Sequence, residues 1–122
     1  MNESGTCPCS GASLTRFVRP AVLAVLAKHG DWIHGYLIVQ ELAQMKMFKN
    51  KPADLAGIYK LLRVMEEEGL IKARWKTPKS GLAKRDLRLT AEGHDCLKLW
   101  LKTLKSYHTS IDELIGEIKE NL

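Results

Sequence analysis

The stretch Glu67-Glu68-Gly69-Leu70-Ile71-Lys72-Ala73-Arg74-Trp75-Lys76 decides the fold, because the spacing of its apolar residues changes in the middle. Upstream, Leu55, Ile58, Leu61, Leu62 and Met65 recur every three or four residues. That spacing predicts a helix from about Ala53 to Glu68, with Asp54 as its N-cap and Gly69 closing it in a left-handed C′ position. Downstream the period drops to two. Ile71, Ala73 and Trp75 alternate with Lys72, Arg74 and Lys76, so one face is apolar and the other cationic, as in a half-buried strand. Pro78-Lys79-Ser80-Gly81-Leu82-Ala83 has turn chemistry, and Asp86-Leu87-Arg88-Leu89 resumes the alternation. The segment therefore reads as a helix running into a two-stranded hairpin whose tip and outer face are basic.

Working back from this stretch, Phe17, Val18, Ala21, Val22, Val25 and Leu26 form a helical stripe ended by Gly30, and Pro20 fits only in the first turn. A second helix is expected from about His34 to Met45. Tyr36, Leu37, Val39 (or Gln40), Leu42 and Ala43 would give its apolar face, with Ile38 flanking. A basic loop, residues 46–52, leads on to the third helix. Residues 1–13 are small and polar without periodicity, and read as a flexible tail. Working forward, Thr90 caps a last helix. Its apolar positions Leu97, Leu101, Leu104, His108, Ile111, Ile115, Ile118 and Leu122 follow alternating steps of 4 and 3. That is a heptad seam, interrupted only by His108. A helix of ~30 residues is ~45 Å long, too long for so small a domain to cover. The most economical partner is the same helix of a second copy.

The expected fold class is mostly α with a small two-stranded antiparallel hairpin: a winged helix-turn-helix plus a long C-terminal dimerisation helix. The expected division is a tail over 1–13, a winged-helix domain over 14–90 and a dimerisation helix over 91–122. The 122 residues suffice for a core without staples. No apolar run is long enough to span a membrane and no secretory signal is evident, so the expected location is the cytoplasm, with Cys7, Cys9 and Cys96 as thiols.

The net charge of +5 is unevenly spread. Residues 1–45 sum to zero, residues 46–88 to +7 and residues 89–122 to −2. The positive charge is thus confined to the third helix, the hairpin and the loop before them, the footprint a polyanion partner needs. Three helices followed by a basic wing can place the third helix in a DNA major groove and the wing along the backbone. The expected partner is double-stranded DNA, bound by a homodimer whose two recognition helices meet the half-sites of a palindrome. The candidate DNA-contacting residues are Tyr36, Tyr59, Lys60, Arg63, Lys79, Lys84 and Arg85. Lys60 and Arg63 stand one turn apart on the third helix. Lys79, Lys84 and Arg85 on the wing would bind phosphate without reading sequence. Tyr36 and Tyr59 can either touch DNA or pack. The candidate dimerisation residues are Leu97, Leu101, Leu104, His108, Ile111, Ile115 and Ile118.

Four motifs in order resemble the PadR-like transcriptional regulators, over roughly residues 17–105. His34-Gly35-Tyr36 is similar to that family's HGY at the start of the second helix. Gly57-Ile58-Tyr59-Lys60-Leu61-Leu62 is similar to its TLYxxL. Glu67-Glu68-Gly69-Leu70-Ile71 matches EEGLI, and Leu89-Thr90-Ala91-Glu92-Gly93 is similar to LTEEG. Gly57 stands where the family often has threonine, and Asp86 and Leu87 where it often has an aromatic. The resemblance implies a dimer built through the C-terminal helix, usually a repressor released by a ligand or signal.

Other features leave alternatives open. Cys7-Pro8-Cys9 supplies two thiols where a zinc site needs four ligands, so a metal- or redox-responsive sensor would need further ligands, and incidental tail cysteines are the plain alternative. Trp100 could line a pocket for a flat effector or belong to the dimer core. His108 could titrate near neutral pH or fix the seam's register. No nucleophile elbow, phosphate loop or HExxH pattern is present, so an enzyme is not expected. No cofactor is implied, a small-molecule effector stays open, and a winged-helix protein-interaction module is the competing class.

Overall fold

The computed structural model describes residues 14–48, 55–76 and 84–122. After a short 3-10 turn, Leu14–Phe17, the order is α1 (Val18–His29), β1 (Ile33–His34), α2 (Gly35–Gln44), α3 (Leu55–Glu67), β2 (Ile71–Lys76), β3 (Lys84–Leu89) and α4 (Ala91–Glu120). Residues 1–13, Asp54 and the turn after β2 lie outside the described residues, and with them the expected tail, the expected cap and Lys79.

α1 is the central helix. Pro20 sits in its first turn, and Val22, Leu23 and Leu26 are sealed from solvent. It ends where Gly30 turns left-handed (φ 67°), its N–H bonding the Leu26 carbonyl at 3.0 Å, which satisfies a carbonyl the helix leaves open. Ile38 and Leu42 of α2, Leu62 and Met65 of α3, Ile71 and Leu87 of the hairpin complete the core around it. Each such side chain contributes on the order of 1.5–3 kcal/mol by leaving water.

α2 turns a different face inward from the one expected. Its buried residues are Gly35, Ile38, Val39 and Leu42, while Tyr36, Leu37 and Ala43 are exposed. Ile38, expected at the margin, is at the centre. The cause is tertiary: α1 and the sheet meet the helix on one side, and α2 is apolar over so much of its circumference that composition alone leaves its rotation ambiguous.

The hairpin is present, and it gains a third strand. Ile33 and His34 pair antiparallel with Leu87 and Asp86, giving the order β1-β3-β2. Trp75 stands opposite Arg85 and Arg74 opposite Asp86.

The joint between the hairpin and α4 explains two of the sequence motifs. Gly69 has φ +82°; its N–H bonds the Glu66 carbonyl and the Leu70 N–H bonds the Met65 carbonyl, both at 3.0 Å. These two bonds form a Schellman cap. Thr90 then docks on the same corner. Its Oγ1 donates to the Gly69 carbonyl at 2.7 Å and accepts from the Gly93 N–H at 2.9 Å, and its own N–H bonds the Leu70 carbonyl at 3.1 Å. A Cβ at Gly93 would lie 2.2 Å from the Leu70 carbonyl oxygen, so only glycine lets α4 approach this closely.

Candidate nucleic-acid interface

α3, packed through Leu62 and Met65, presents Tyr59, Lys60 and Arg63 to solvent. The first turn of α2 lies alongside. A Cβ on Gly35 would meet the Tyr59 ring at 3.4 Å, so the small residue of the HGY motif leaves the space that the ring of α3 fills. Tyr36, next in sequence, is 60% exposed. β3 brings Lys84 and Arg85 to the same side. His34, Tyr36, Tyr59, Arg63, Lys84 and Arg85 together line one concavity of about 430 Å³. Five expected DNA-contacting residues, from three separate elements, thus share one depression. Lys60 lies outside its lining, exposed on α3.

Charge on this face is organised by two carboxylates that sequence reading did not single out for a role. Asp86, 5% exposed, has Oδ1 2.8 Å from His34 Nδ1 and Oδ2 3.6 Å from Arg74 Nη2. Its partners in β1 and β2 are its register neighbours, so one buried acid ties the three strands together. Arg74 in turn lies over the Trp32 ring, 4.4 Å from its centroid, a cation–π contact. His34 occupies the N-cap position of α2 without a side-chain cap bond; its imidazole serves the sheet instead. The second carboxylate is Glu66 of α3, ion-paired with Arg85. Among the described residues, no buried side-chain polar atom lacks a hydrogen-bond partner.

The proposed seam divides into two parts. Leu97, Leu101 and Leu104 join Phe17, Pro20 and Ala24 in lining an almost wholly apolar groove of about 490 Å³ between α1 and α4. Further along, Ile111, Ile115 and Ile118 are exposed, as is His108, whose Nδ1 lies 3.8 Å from Asp112 Oδ2. Trp100 packs against the core, and it is not among the residues lining that groove. Cys96 is a half-buried free thiol, also against the core. Among the described residues no group of three or more His, Cys, Asp or Glu side chains could hold a metal ion, and none of their helices is long and apolar enough to cross a membrane. Cys7 and Cys9 lie outside the described residues.

The profile of the Transcriptional regulator PadR-like family matches residues 22–99. The chain belongs to the PadR-like family. Its members are transcriptional regulators and not enzymes. Solved structures carry the same fold. A PadR-like transcriptional regulator from Bacillus cereus superposes with a TM-score of 0.68 at 20% identity, covering 84% of this chain and 94% of its own. A PadR family regulator from Eggerthella lenta gives 0.66 at 24% identity, with 85% and 90% covered. A conserved protein of unknown function, described as a potential transcriptional factor, gives 0.71 at 24%, with 88% and 92% covered. No curated protein matches the chain. The PadR-like match includes every motif of the concave face and ends at residue 99, so the exposed isoleucines of α4 fall beyond it.

Proposed function

We propose that this protein is a sequence-specific DNA-binding regulator, a repressor of the PadR-like type that binds a palindromic operator as a homodimer. One observation carries the reading: Tyr36, Tyr59, Arg63, Lys84 and Arg85, brought from α2, α3 and β3, line a single concave face, beside which Lys60 is exposed. In this reading residues 14–90 form the DNA-binding domain and residues 91–122 the dimerisation helix. α3 enters the major groove, Lys60 and Arg63 reach base edges or phosphates, and Lys79, Lys84 and Arg85 neutralise the backbone. The second copy adds a half-site about one helical turn, ~34–36 Å, away. The exposed Ile111, Ile115 and Ile118 support pairing through α4. Release by a ligand or other signal would act through the same helix, since α4 runs unbroken from the Thr90 corner to the seam, and a shift at one end is felt at the other.

The test is binding to genomic fragments from around the protein's own gene, across a salt series. Tight, selective binding that weakens steeply as salt rises is expected. Lys60→Ala and Arg63→Ala should each weaken the selected site by roughly 1–3 kcal/mol if the side chain reads a base. Binding that is weak, blind to sequence and indifferent to both substitutions would remove α3 from the interface.

A further inference from the structure

Every described apolar residue on the core-facing side of the hairpin is covered except one. Ile71 and Leu87 are buried, and Ala73 and Leu89 are partly buried against the core. Trp75, the last of the series on β2, is 70% exposed. An antiparallel register puts opposed residues on the same face, so Trp75 shares its face with Arg85, its partner across the ladder. Arg85 lines the concavity. Trp75 is not itself part of the lining, and its pairing with Arg85 sets it next to that depression, on the edge strand of the sheet.

Two cations of β3, Lys84 and Arg85, stand at the same end of the hairpin. Arg85 shares the face of Trp75 across the ladder, ion-paired with Glu66 of α3, and Lys84 lines the concavity together with Arg85, while Lys72, Arg74 and Arg88 alternate onto the opposite face of the sheet. An apolar plate set beside cations fits a surface that alternates anions with apolar ground. The duplex backbone is such a surface, with phosphates separated by the C–H faces of deoxyribose. An apolar protein surface would offer nothing to Lys84 and Arg85 beside the ring. The indole also carries one N–H donor, which a phosphate or a minor-groove acceptor can satisfy.

We infer that Trp75 is a DNA-contacting residue of the wing, its ring packed on the deoxyribose backbone beside the phosphates held by Lys84 and Arg85. This rests on the DNA-binding reading above. It assigns the wing an apolar contact in addition to its charges, which salt does not screen.

The protein has three tryptophans, and the other two have other tasks: Trp32 lies under Arg74 and Trp100 packs on the core. The experiment titrates the full chain with a mixed-sequence duplex at low salt and follows tryptophan emission and duplex anisotropy together. Emission should change on binding in the parent, Trp32→Phe and Trp100→Phe proteins, and the change should be lost in Trp75→Phe. Trp75→Ala should bind roughly five- to tenfold more weakly, the scale expected for re-exposing part of an indole, and Trp75→Phe should recover most of that loss. The far-ultraviolet dichroism of Trp75→Ala should match the parent, since the ring is mostly solvent-exposed. Binding by anisotropy with no change in Trp75 emission, and with Trp75→Ala equal to the parent, overturns the inference and leaves the DNA reading standing. Failure of the parent itself to bind any duplex overturns both. An emission change that follows protein dilution, and not DNA, places Trp75 between copies of the chain and also overturns it.

Discussion

α3 and α4 carry the same kind of apolar repeat and treat it oppositely. In α3, Leu62 and Met65 are 1% and 0% exposed; in α4, Ile111, Ile115 and Ile118 are 51%, 44% and 50% exposed. α3 finds α1, α2 and the hairpin around it. α4 meets the domain as far as Tyr107, whose ring lies edge-on to Phe17 at 6.5 Å, and beyond it Ile111, Ile115 and Ile118 are left exposed among the described residues. A periodic stripe shows only that a helix has a side to bury, while its length relative to the domain says whether the cover is internal or another molecule.

Two substitutions separate these cases. Leu62→Ala should lower the unfolding free energy by about 2–5 kcal/mol, the usual cost of an alanine-sized truncation in a sealed core, and the loss in denaturant titrations should be the same at every protein concentration. Ile115→Asp should leave the winged domain folded and weaken self-association roughly a hundredfold or more, because symmetry puts the new carboxylate into the apolar interface twice. Sedimentation over a dilution series reads this directly. A dimer that survives Ile115→Asp unchanged would mean that the distal stripe is not the seam.

The same contrast marks what the sequence could reveal. α3, the hairpin and α4 were legible because period, stop signal and cap agree there: Gly69 does take a positive φ, and Thr90 does cap α4. β1 was not, since two residues make no period. The rotation of α2 was not, because helices and sheet decide it from outside. The concave site was legible residue by residue, Tyr36, Tyr59, Arg63, Lys84 and Arg85 all being named from their motifs and charge. Its wiring was hidden. Nothing in the local pattern around Asp86 says that its carboxylate turns to His34, fifty-two positions earlier, and to Arg74, and the Arg85–Glu66 pair joins residues nineteen apart.

That pair allows a smaller test on the proposed DNA-binding face. Glu66 holds Arg85, so under the proposed function duplex phosphates would compete with a carboxylate for the guanidinium. Glu66→Gln removes the competitor. Affinity for a mixed-sequence duplex should rise a few-fold, in keeping with the roughly 0.2–1 kcal/mol of a partly exposed pair, and the slope of log K against log salt should steepen by up to about one counterion. Weaker binding in Glu66→Gln would show instead that the pair holds Arg85 in position for DNA.

The smallest effect lies in acid and belongs wholly to the internally satisfied half of the molecule. Arg19 of α1 grips Glu68, just past the end of α3, with two hydrogen bonds of 2.6 and 3.1 Å. These bonds hold the Glu68 carboxyl below its ordinary value of 4.5. Glu41 of α2 is lowered likewise, first by the hydrogen bond from Lys28 and then by His29 of α1. A carboxyl whose folded value is depressed takes up its proton earlier in the unfolded chain. Its contribution is therefore complete above the ordinary glutamate value and is lost as pH falls through the depressed one. Both groups are open enough to solvent for salt to weaken them further. Glu68→Gln should consequently melt slightly below the parent at neutral pH and low salt, with the two melting curves converging once the pH is well under 4.5. Ile115→Asp, measured alongside at a concentration where both proteins are monomeric, should show no such convergence. If the Glu68→Gln difference persisted unchanged into acid, the fork would be stabilising α1 against α3 by packing of the Arg19 stem, and its charge would be incidental.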